Sequence, residues 1–411
     1  MPASDNIDLT LHASDAPPPD SDAKPDSPPK LDRGSWTYAL KRAVKEFSAD
    51  GGTDLAAMLT YYTVLSLAPA LLAVFSIISL VFANNASAVT TLVEDLVTSY
   101  VPADYQGLVV DLVDTITGSA TGGIIALVIG IAIALWSASA HVKAFSRSMN
   151  TIYGREEGRG LVRQTGTMLL TTLVLLLGVV LVLASIALNE TLVSGLLGPI
   201  AEPLGLAGTL DFLVGTFLPI WAWVKWPVIL ALVVVMVAVL YYFTPNVRQP
   251  SFRWISLGSV VAILGVAVAG VVLSVYLTRF AGYSSYGAIG TVMALLFVLW
   301  VFNIMLLLGA EVDAEVERAR QLQAGIAAES NIQLPPRDTK KVEKMRDTRD
   351  ALREEGSRLR AGTGGDGDQD DAAGQASGSA PGDGSQAETE TTDGVADRGE
   401  RFLRHRGTDR D

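Results

Sequence analysis

The chain alternates between long uncharged apolar stretches and short polar connections. Six such stretches cover about residues 55–83, 122–140, 165–188, 226–243, 255–277 and 286–310, with no charged residue in their interiors. A helix needs roughly 20 residues to cross ~30 Å of hydrocarbon, whereas a strand of a membrane barrel needs only about ten alternating residues. The pattern therefore predicts an all-α, polytopic membrane protein with six transmembrane helices.

The polar sequence divides the chain into four regions. Residues 1–32 include the run DAPPPDSDAKPDSPP, which cannot bury enough apolar surface to offset the entropy of ordering, so a disordered N-terminal tail is expected. Residues 33–320 form the predicted six-span membrane domain. Residues 321–360 are predicted to be a charged helical segment, and residues 361–411 a disordered acidic C-terminal tail.

Three polar or interrupted segments have predictions of their own. Residues 36–48 are amphipathic at helical spacing and are expected to lie along the membrane surface. Residues 84–121 are expected to form one or two short amphipathic helices outside the bilayer. Residues 190–225 are apolar but interrupted by Pro and Gly, which favours a re-entrant or interfacial hairpin. A seventh span over about 212–224 is the alternative, and its short length and Lys225 count against it.

Lys and Arg are concentrated in alternate connections. They precede the first apolar stretch and follow the second, fourth and sixth. The connection after the first stretch contains no Lys or Arg, the one after the third contains Lys225, and the one after the fifth contains Arg279. The positive-inside rule then places both termini in the cytoplasm. Two cytoplasmic termini require an even number of spans, which agrees with the six counted from hydropathy. The expected location is the plasma membrane.

Composition excludes several kinds of chemistry. The chain has no Cys, and two of its three His, His12 and His405, lie in the polar tails, which excludes a thiol nucleophile and a zinc site built from Cys or His. It has no glycine-rich phosphate loop and no G-x-S-x-G elbow. We therefore expect no enzymatic activity, no cofactor and no metal, and the net charge of −12 argues against a nucleic-acid partner. The acidic, Lys-poor exterior is typical of a halophilic, high-salt cytoplasm, and two acidic tails alone are the alternative explanation.

Polar residues inside the apolar stretches are the remaining functional signal, because they are costly in hydrocarbon. In the first stretch, Tyr62, Ser66 and Pro69 share one helical face. Pro69 also leaves the carbonyl of Leu65 without its helical donor. These residues are candidates for one wall of a polar cavity. A packing kink with helix–helix hydrogen bonds is the alternative.

A polar stripe leaves the end of the second apolar stretch. It consists of Trp136, Ser139, Lys143, Arg147 and Asn150. The functional interpretation is a mouth that attracts anions or lipid headgroups. A solvated helix end that obeys the positive-inside rule is the alternative.

Glu311 follows the last apolar turn of the sixth stretch. Gly309 and Ala310 precede it and allow a neighbouring helix to approach closely. Glu311 is a candidate partner for a cation such as Arg147 at the same depth, and such a pair would form a gate. An ordinary interfacial carboxylate is the alternative.

These candidates lie in stretches that resemble the YihY/BrkB family of membrane proteins. The stretches are AAMLTYYTVLSLAPALL (56–72), LWSASAHVKAFSRSMNTIYGREEGRG (135–160), LYYFTPNVRQPSFRWISLGS (240–259) and YSSYGAIGTVMALLFVLWVFNIMLLLGAEVDAEVER (283–318). The resemblance covers about residues 35–320 and implies a six-span helical fold in the cell membrane. Some family members carry a virulence or serum-resistance label. The family has also carried a ribonuclease BN label, and the metal ligands that such an activity would need are missing here.

The favoured function is the transport or handling of a lipid or small amphiphile through a cavity between spans. Membrane lipids are the expected partners, and a small amphiphile is the expected substrate. A non-transporting scaffold for envelope integrity is the alternative, and a tRNA-processing ribonuclease is the least favoured function.

Overall fold

The structure is a computed structural model that describes residues 3–21, 24–25, 30–81, 98, 106–107, 123–190, 193–194, 205–250, 256–280 and 287–374. In this part of the chain the regular structure is helical, apart from one isolated bridge between Val247 and Pro336. The predicted all-α class is confirmed. Contacts divide the chain into residues 1–348 and 349–411, and the packing described below lies in the first unit.

The helices follow the apolar pattern closely. They are α1 Ala3–His12, α2 Arg33–Ala49, α3 Gly52–Val81, α4 Gly123–Ile152, α5 Leu161–Ala187, α6 Ala207–Phe212, α7 Leu218–Phe243, α8 Leu257–Phe280, α9 Gly287–Gln323 and α10 Lys340–Gly374. The six apolar stretches coincide with α3, α4, α5, α7, α8 and α9. Among the described residues, three helical stretches are long and apolar enough to cross a membrane by length and composition: Leu161–Ala187, Gly208–Phe243 and Val292–Gln323.

Helix α9 is the central element of the packing. It contacts α2, α3, α4 and α8, and α7 packs mainly against α5. The main core joins Leu59 of α3, Phe145 of α4 and Leu307 of α9, and all three side chains are fully buried. The same core includes Ile332 and Leu334, which follow α9. The segment after α9 therefore returns to the bundle.

Two glycines allow α8 and α9 to cross in close contact. A Cβ atom on Gly258 would lie 2.0 Å from the carbonyl oxygen of Gly309, and one on Gly309 would lie 2.4 Å from that of Gly258. Such distances are below any van der Waals contact, so a larger residue must separate the helices. The expectation that Gly309 admits a close neighbour is confirmed.

The apolar segment before α7 differs from its prediction. Residues 207–225 form no hairpin, because α6, a π-helical turn at Leu213–Phe217 and α7 continue into one another. Pro219 lies in the first turn of α7, directly after the π-helical turn. The resulting helix extends well beyond the roughly 20 residues that a span requires.

The N-terminal segment corrects the expectation of a disordered tail over residues 1–32. Residues 3–12 are helical, and the side chains of Ile7, Thr10 and Lys24 are buried. Thr10 Oγ1 accepts a hydrogen bond from the backbone N–H of Glu156 at 2.8 Å. The sequence lacks a long apolar run here, but isolated side chains find partners on the helical bundle.

Helix α2 packs on the end of α9. Ala39 and Ala43 contact Val312, Val316 and Ala319 in a small buried cluster. The amphipathic face that predicted a helix on the membrane surface is therefore at least partly a protein contact. Exposed Leu40 and Val44 lie on the remaining surface of α2.

Two further predictions concern segments that the structure describes only in part. The amphipathic helices predicted over residues 84–121 lie outside the described residues, except for positions 98 and 106–107. Of the charged helical segment predicted over residues 321–360, residues 324–339 are not helical, and α10 covers the remainder from Lys340. Helix α10 continues to Gly374, so residues 361–374 of the expected disordered tail are helical. Residues 375–411 of the expected acidic tail lie outside the described residues.

Candidate functional site

The segments at one end of the bundle are tied together by buried polar groups, and we call this region the polar end. It comprises residues 150–163, 244–250, 311–323 and 328–341. Backbone hydrogen bonds join Arg248 N to Pro335 O at 2.8 Å and Lys341 N to Gly158 O at 3.0 Å. The segment after α9 thus crosses the loops that join α4 to α5 and α7 to α8.

Asn150 and Asn246 connect these loops. The Oδ1 atom of Asn150 accepts from Asn246 N at 2.7 Å, and its Nδ2 donates to Glu157 at 3.2 Å. Asn246 Nδ2 donates to the carbonyls of Glu156 at 2.9 Å and Asp338 at 3.0 Å. Each amide thus joins two or three segments that are distant in sequence. Asn150, a predicted mouth residue, is buried in this network.

Arg159 is a second buried connector. Its Nε and Nη2 donate to the two carboxylate oxygens of Glu157, both at 2.7 Å, and Nη2 also donates to the carbonyl of Thr244 at 2.7 Å. Paired hydrogen bonds from a guanidinium to a carboxylate fix orientation as well as charge. The loop after α4 is therefore held against the end of α7.

Arg155 reaches the segment after α9. Its Nη2 donates to the carbonyl oxygens of Ile332 and Leu334. Burial and, to a smaller extent, the charge of Arg318 lower the pKa of Arg155 to about 10. Carbonyl dipoles, rather than a carboxylate, therefore stabilise this cation.

A cavity of about 170 Å³ opens at the polar end between α7, α8 and α9. Its polar lining comprises Tyr153, Tyr241, Tyr242, Gln249, Ser256, Asp313, Glu317 and Arg320. Its apolar lining includes Ala238, Leu257 and Val316. Charged and apolar walls thus face one another where the helices change from apolar to charged sequence.

The two acidic residues of this cavity are held by different partners. Asp313 Oδ1 accepts a hydrogen bond from Gly258 N at 2.6 Å, at the first turn of α8. Glu317 is bound on two sides, by Lys24 Nζ at 2.9 Å and by Arg320 Nη1 at 2.6 Å. The negative charge of Glu317 is therefore compensated, whereas the partners of Asp313 are neutral, namely the backbone N–H of Gly258 and the side chain of Ser256.

Glu311 lies on another face of α9, in an acidic neighbourhood. It is 1% exposed, and its Oε2 has no hydrogen-bond partner. Neighbouring Glu315 is paired with Arg42 at 3.3 Å and with Arg318 at 2.9 Å. Within the described part of the chain, no ion pair joins Glu311 to a cation of α4.

Asp50, between α2 and α3, belongs to the same neighbourhood. Burial, followed by the charges of Glu46 and Glu315, raises the pKa of Asp50 to about 6. Arg318 acts in the opposite direction.

The predicted residues of α3 lie at different depths of the packing. Tyr62 is half-buried, and the guanidinium carbon of Arg147 lies 5.2 Å from its ring centroid. Ser66 is buried and donates to the carbonyl of its own helix at Thr63, 3.1 Å away. Pro69 is half-buried inside α3.

The predicted stripe of α4 divides into a buried and an exposed part. Ser139 is fully buried and donates to the carbonyl of Trp136 at 2.6 Å. Trp136 is exposed, and Lys143 Nζ lies 4.4 Å from its ring centroid. Arg147 is exposed as well. The structure thus brings together Tyr62 with Arg147 and Trp136 with Lys143, and it places Asn150 and Glu311 in separate networks.

None of the predicted candidates lines the cavity between α7, α8 and α9. Sequence reasoning missed Tyr241, Gln249 and Asp313 because they lie at or beyond the ends of the apolar stretches, where polar residues are ordinary. The available signal was the family resemblance, since the stretches 240–259 and 283–318 contain all three residues. Among the described residues, no three His, Cys, Asp or Glu side chains are placed to hold a metal ion.

Long apolar helices joined by a buried polar end define an integral membrane protein. A family model described as Virulence factor BrkB matches residues 43–332, and the chain belongs to this family. The chain is also 29% identical, over 289 residues, to "Putative ribonuclease-like protein YfkH" of Bacillus subtilis (strain 168). That alignment covers 69% of this chain and 96% of the relative. No solved structure matches the chain.

Proposed function

We propose that this protein crosses the plasma membrane six times, with both termini in the cytoplasm, and that it binds and moves a lipid or small amphiphile. The cavity between α7, α8 and α9 is the proposed site for the polar head. We base this proposal on the cavity because both charged and apolar side chains line it.

The membrane topology is supported by two independent features. Six helices coincide with uncharged apolar stretches, although three of them alone meet the length and composition of a span among the described residues. The connections at the polar end carry most of the loop Lys and Arg. Such loops face the cytoplasm in most membrane proteins.

The position of the cavity favours an amphiphile over a wholly polar solute. Asp313 lies about one turn beyond Ala310, where the uncharged stretch of α9 ends, and Leu257 and Val316 line the cavity with it. A polar head can meet Asp313 and Gln249, while an apolar chain continues along the apolar helices. A fully polar solute would leave the apolar wall without a partner.

We do not propose a ribonuclease activity, although the name of the Bacillus relative is ribonuclease-like. A nuclease that uses divalent metals needs several carboxylate or histidine ligands at one point. This chain has three His and no Cys, and its net charge of −12 disfavours contact with RNA.

The test is reconstitution in vesicles that contain fluorescent analogues of phosphatidylethanolamine, phosphatidylglycerol and a lysophospholipid. Movement between leaflets is followed by quenching with an impermeant reductant. We expect at least one analogue to move several-fold faster than in protein-free vesicles. Asp313→Asn keeps an acceptor for Gly258 N but removes the charge, and it should slow the movement. Asp347→Asn, on the exposed side of α10, is the matched control.

Wild-type protein that moves no analogue would contradict transport and favour the scaffold. Equal rates for wild type and Asp313→Asn would contradict the assignment of the cavity.

A further inference from the structure

Two cations lie outside the cavity, on the face formed by α3 and α4. Lys143 and Arg147 are one helical turn apart on α4. In the described part of the chain, neither has a carboxylate within ion-pair distance. By contrast, Arg159 at the polar end is paired with Glu157, and Arg155 is buried against carbonyls. This face therefore offers uncompensated positive charge.

Each of the two cations is held against an aromatic ring. Lys143 Nζ lies 4.4 Å from the centroid of Trp136, and the Arg147 guanidinium carbon lies 5.2 Å from that of Tyr62. The contacts position the charged groups without neutralising them, because a ring offers a weak electrostatic partner in place of a counter-ion. The hydrogen-bond donors of both cations remain available to an anion.

Exposed apolar side chains continue from these cations toward the middle of the helices. Trp136 is 56% exposed and Ile133 is 62% exposed on α4. On the neighbouring helix α3, Tyr61 and Leu65 are also exposed. The face thus runs from apolar surface to positive charge as it approaches the polar end. A phospholipid presents its acyl chains and phosphate in the same order.

We infer that this face binds one anionic phospholipid, whose phosphate contacts Lys143 and Arg147 and whose chains cover the apolar surface beside Trp136. A guanidinium suits phosphate because its planar donors match two oxygens, and an ammonium adds a point charge. A zwitterionic lipid would bring an ammonium of its own toward the two cations. An anionic headgroup is therefore preferred. The site is separate from the cavity and does not rest on lipid movement.

The test is retention of lipid by the purified full-length protein, measured by native mass spectrometry. Dioleoyl phosphatidylglycerol, dioleoyl phosphatidylcholine and soluble glycerol phosphate are added in separate arms. We expect wild-type protein to retain phosphatidylglycerol at least fivefold over phosphatidylcholine and to retain no glycerol phosphate. The double variant Lys143→Gln with Arg147→Gln should lose this preference. Lys41→Gln with Lys45→Gln, which removes two exposed cations from α2, should keep it.

A second measurement places the lipid at Trp136 and does not need the double variant to fold. Phosphatidylglycerol brominated on its chains should quench the tryptophan fluorescence of wild-type protein more than brominated phosphatidylcholine does. That difference should shrink in Trp136→Phe, which keeps an apolar ring.

Three results would overturn the site. They are equal retention of the two phospholipids by wild type, an unchanged preference in a folded double variant, and an unchanged quenching difference in Trp136→Phe. Retention of glycerol phosphate as strong as that of the lipid would show a phosphate site and no lipid site. Failure of the lipid site is read from the phosphatidylglycerol preference and the quenching at Trp136, whereas failure of the cavity is read from lipid movement by Asp313→Asn, so the two can be told apart.

Discussion

Lys24 and Glu317 form a buried ion pair across 293 residues of sequence, with Nζ 2.9 Å from Oε1. The lysine belongs to a Pro- and Asp-rich segment, and the glutamate lines the cavity between α7, α8 and α9. The adjacent carbonyl of Pro25 accepts a hydrogen bond from Arg320 Nε at 2.9 Å. The N-terminal segment is thus attached to the charged wall of the cavity.

Replacement of Lys24 should destabilise the folded protein. Lys24→Met leaves Glu317 with Arg320 as its remaining cation, so we expect a loss of about 1–3 kcal/mol, below the ~3–5 kcal/mol of a buried charge left with no partner. The measurement is thermal unfolding in detergent. Lys45→Met, at an exposed position of α2, is the control. Deletion of residues 1–30 should also lower the midpoint, and an unchanged midpoint for both changes would mean that the segment does not contribute to stability.

Gly158 has no room for a side chain. A Cβ atom there would lie 1.7 Å from the carbonyl oxygen of Asp338, in the segment that crosses the polar end. Gly158→Ala should therefore cost about 1–3 kcal/mol of unfolding free energy, or more, because the backbone must move. Gly166→Ala in α5 has open space around the new Cβ and should be neutral or slightly stabilising. Equal melting temperatures for the two variants would disprove the contact.

The crossing of α8 and α9 depends on Gly309. Gly309→Ala would place a Cβ 2.4 Å from the carbonyl of Gly258, so the helices must separate and Tyr241, which contacts the same point, must shift. We expect lower thermal stability and faster hydrogen exchange at the start of α8. The control is Gly270→Ala, farther along α8, where nothing lies within 4 Å of the added atom. If both variants showed the same hydrogen-exchange protection as wild type, the crossing would tolerate a methyl group.

Asp50 should make stability depend on pH. Its pKa is raised from 3.8 to about 6 in the folded protein, mainly by burial and then by Glu46 and Glu315. The folded state therefore binds more protons than the unfolded state between these values, and stability falls as pH rises through this window. Asp50→Asn should melt higher than wild type at pH 8, and the difference should shrink toward pH 4. Asp347→Asn, at an exposed position, should show no such trend.

The absence of cysteine allows a direct test of orientation. Thr151→Cys places a thiol at the polar end, and Thr209→Cys places one near the opposite end of the helix that includes α7; both positions are exposed. We expect a membrane-impermeant maleimide to label Thr209→Cys in intact cells and Thr151→Cys only after permeabilisation. The reverse pattern would overturn the proposed cytoplasmic location of the polar end.

The close crossing at Gly309 and the position of α2 show how far the sequence predicts the fold. The pair Gly309–Ala310 at the end of the sixth apolar stretch predicted a close neighbouring helix, because small side chains let backbones approach. The neighbour itself, Gly258, was not predictable, since many small residues in the apolar stretches would serve equally well. The amphipathic pattern of α2 likewise predicted an apolar face, but not that Ala39 and Ala43 would contact α9.

The candidate site was predicted less well than the helices. Helical spacing placed Lys143 and Arg147 on one face of α4, because spacing determines which residues share a face. It could not show that Asn150, on the same helix, turns into the bundle to bind Asn246. That contact depends on where the loop after α7 returns, 96 residues later.

The sequence by itself determined the class of this protein and the positions of its apolar helices. Backbone groups in hydrocarbon must be paired within their own segment, so an uncharged run of roughly 20 residues has essentially one structure available. Only the tertiary structure decided which polar residues meet at the polar end, and it alone revealed the Lys24–Glu317 pair and the space that Gly158 must leave free. Charges at helix ends can be satisfied by water, by a carbonyl or by one another, and the packing of distant segments selects among these partners.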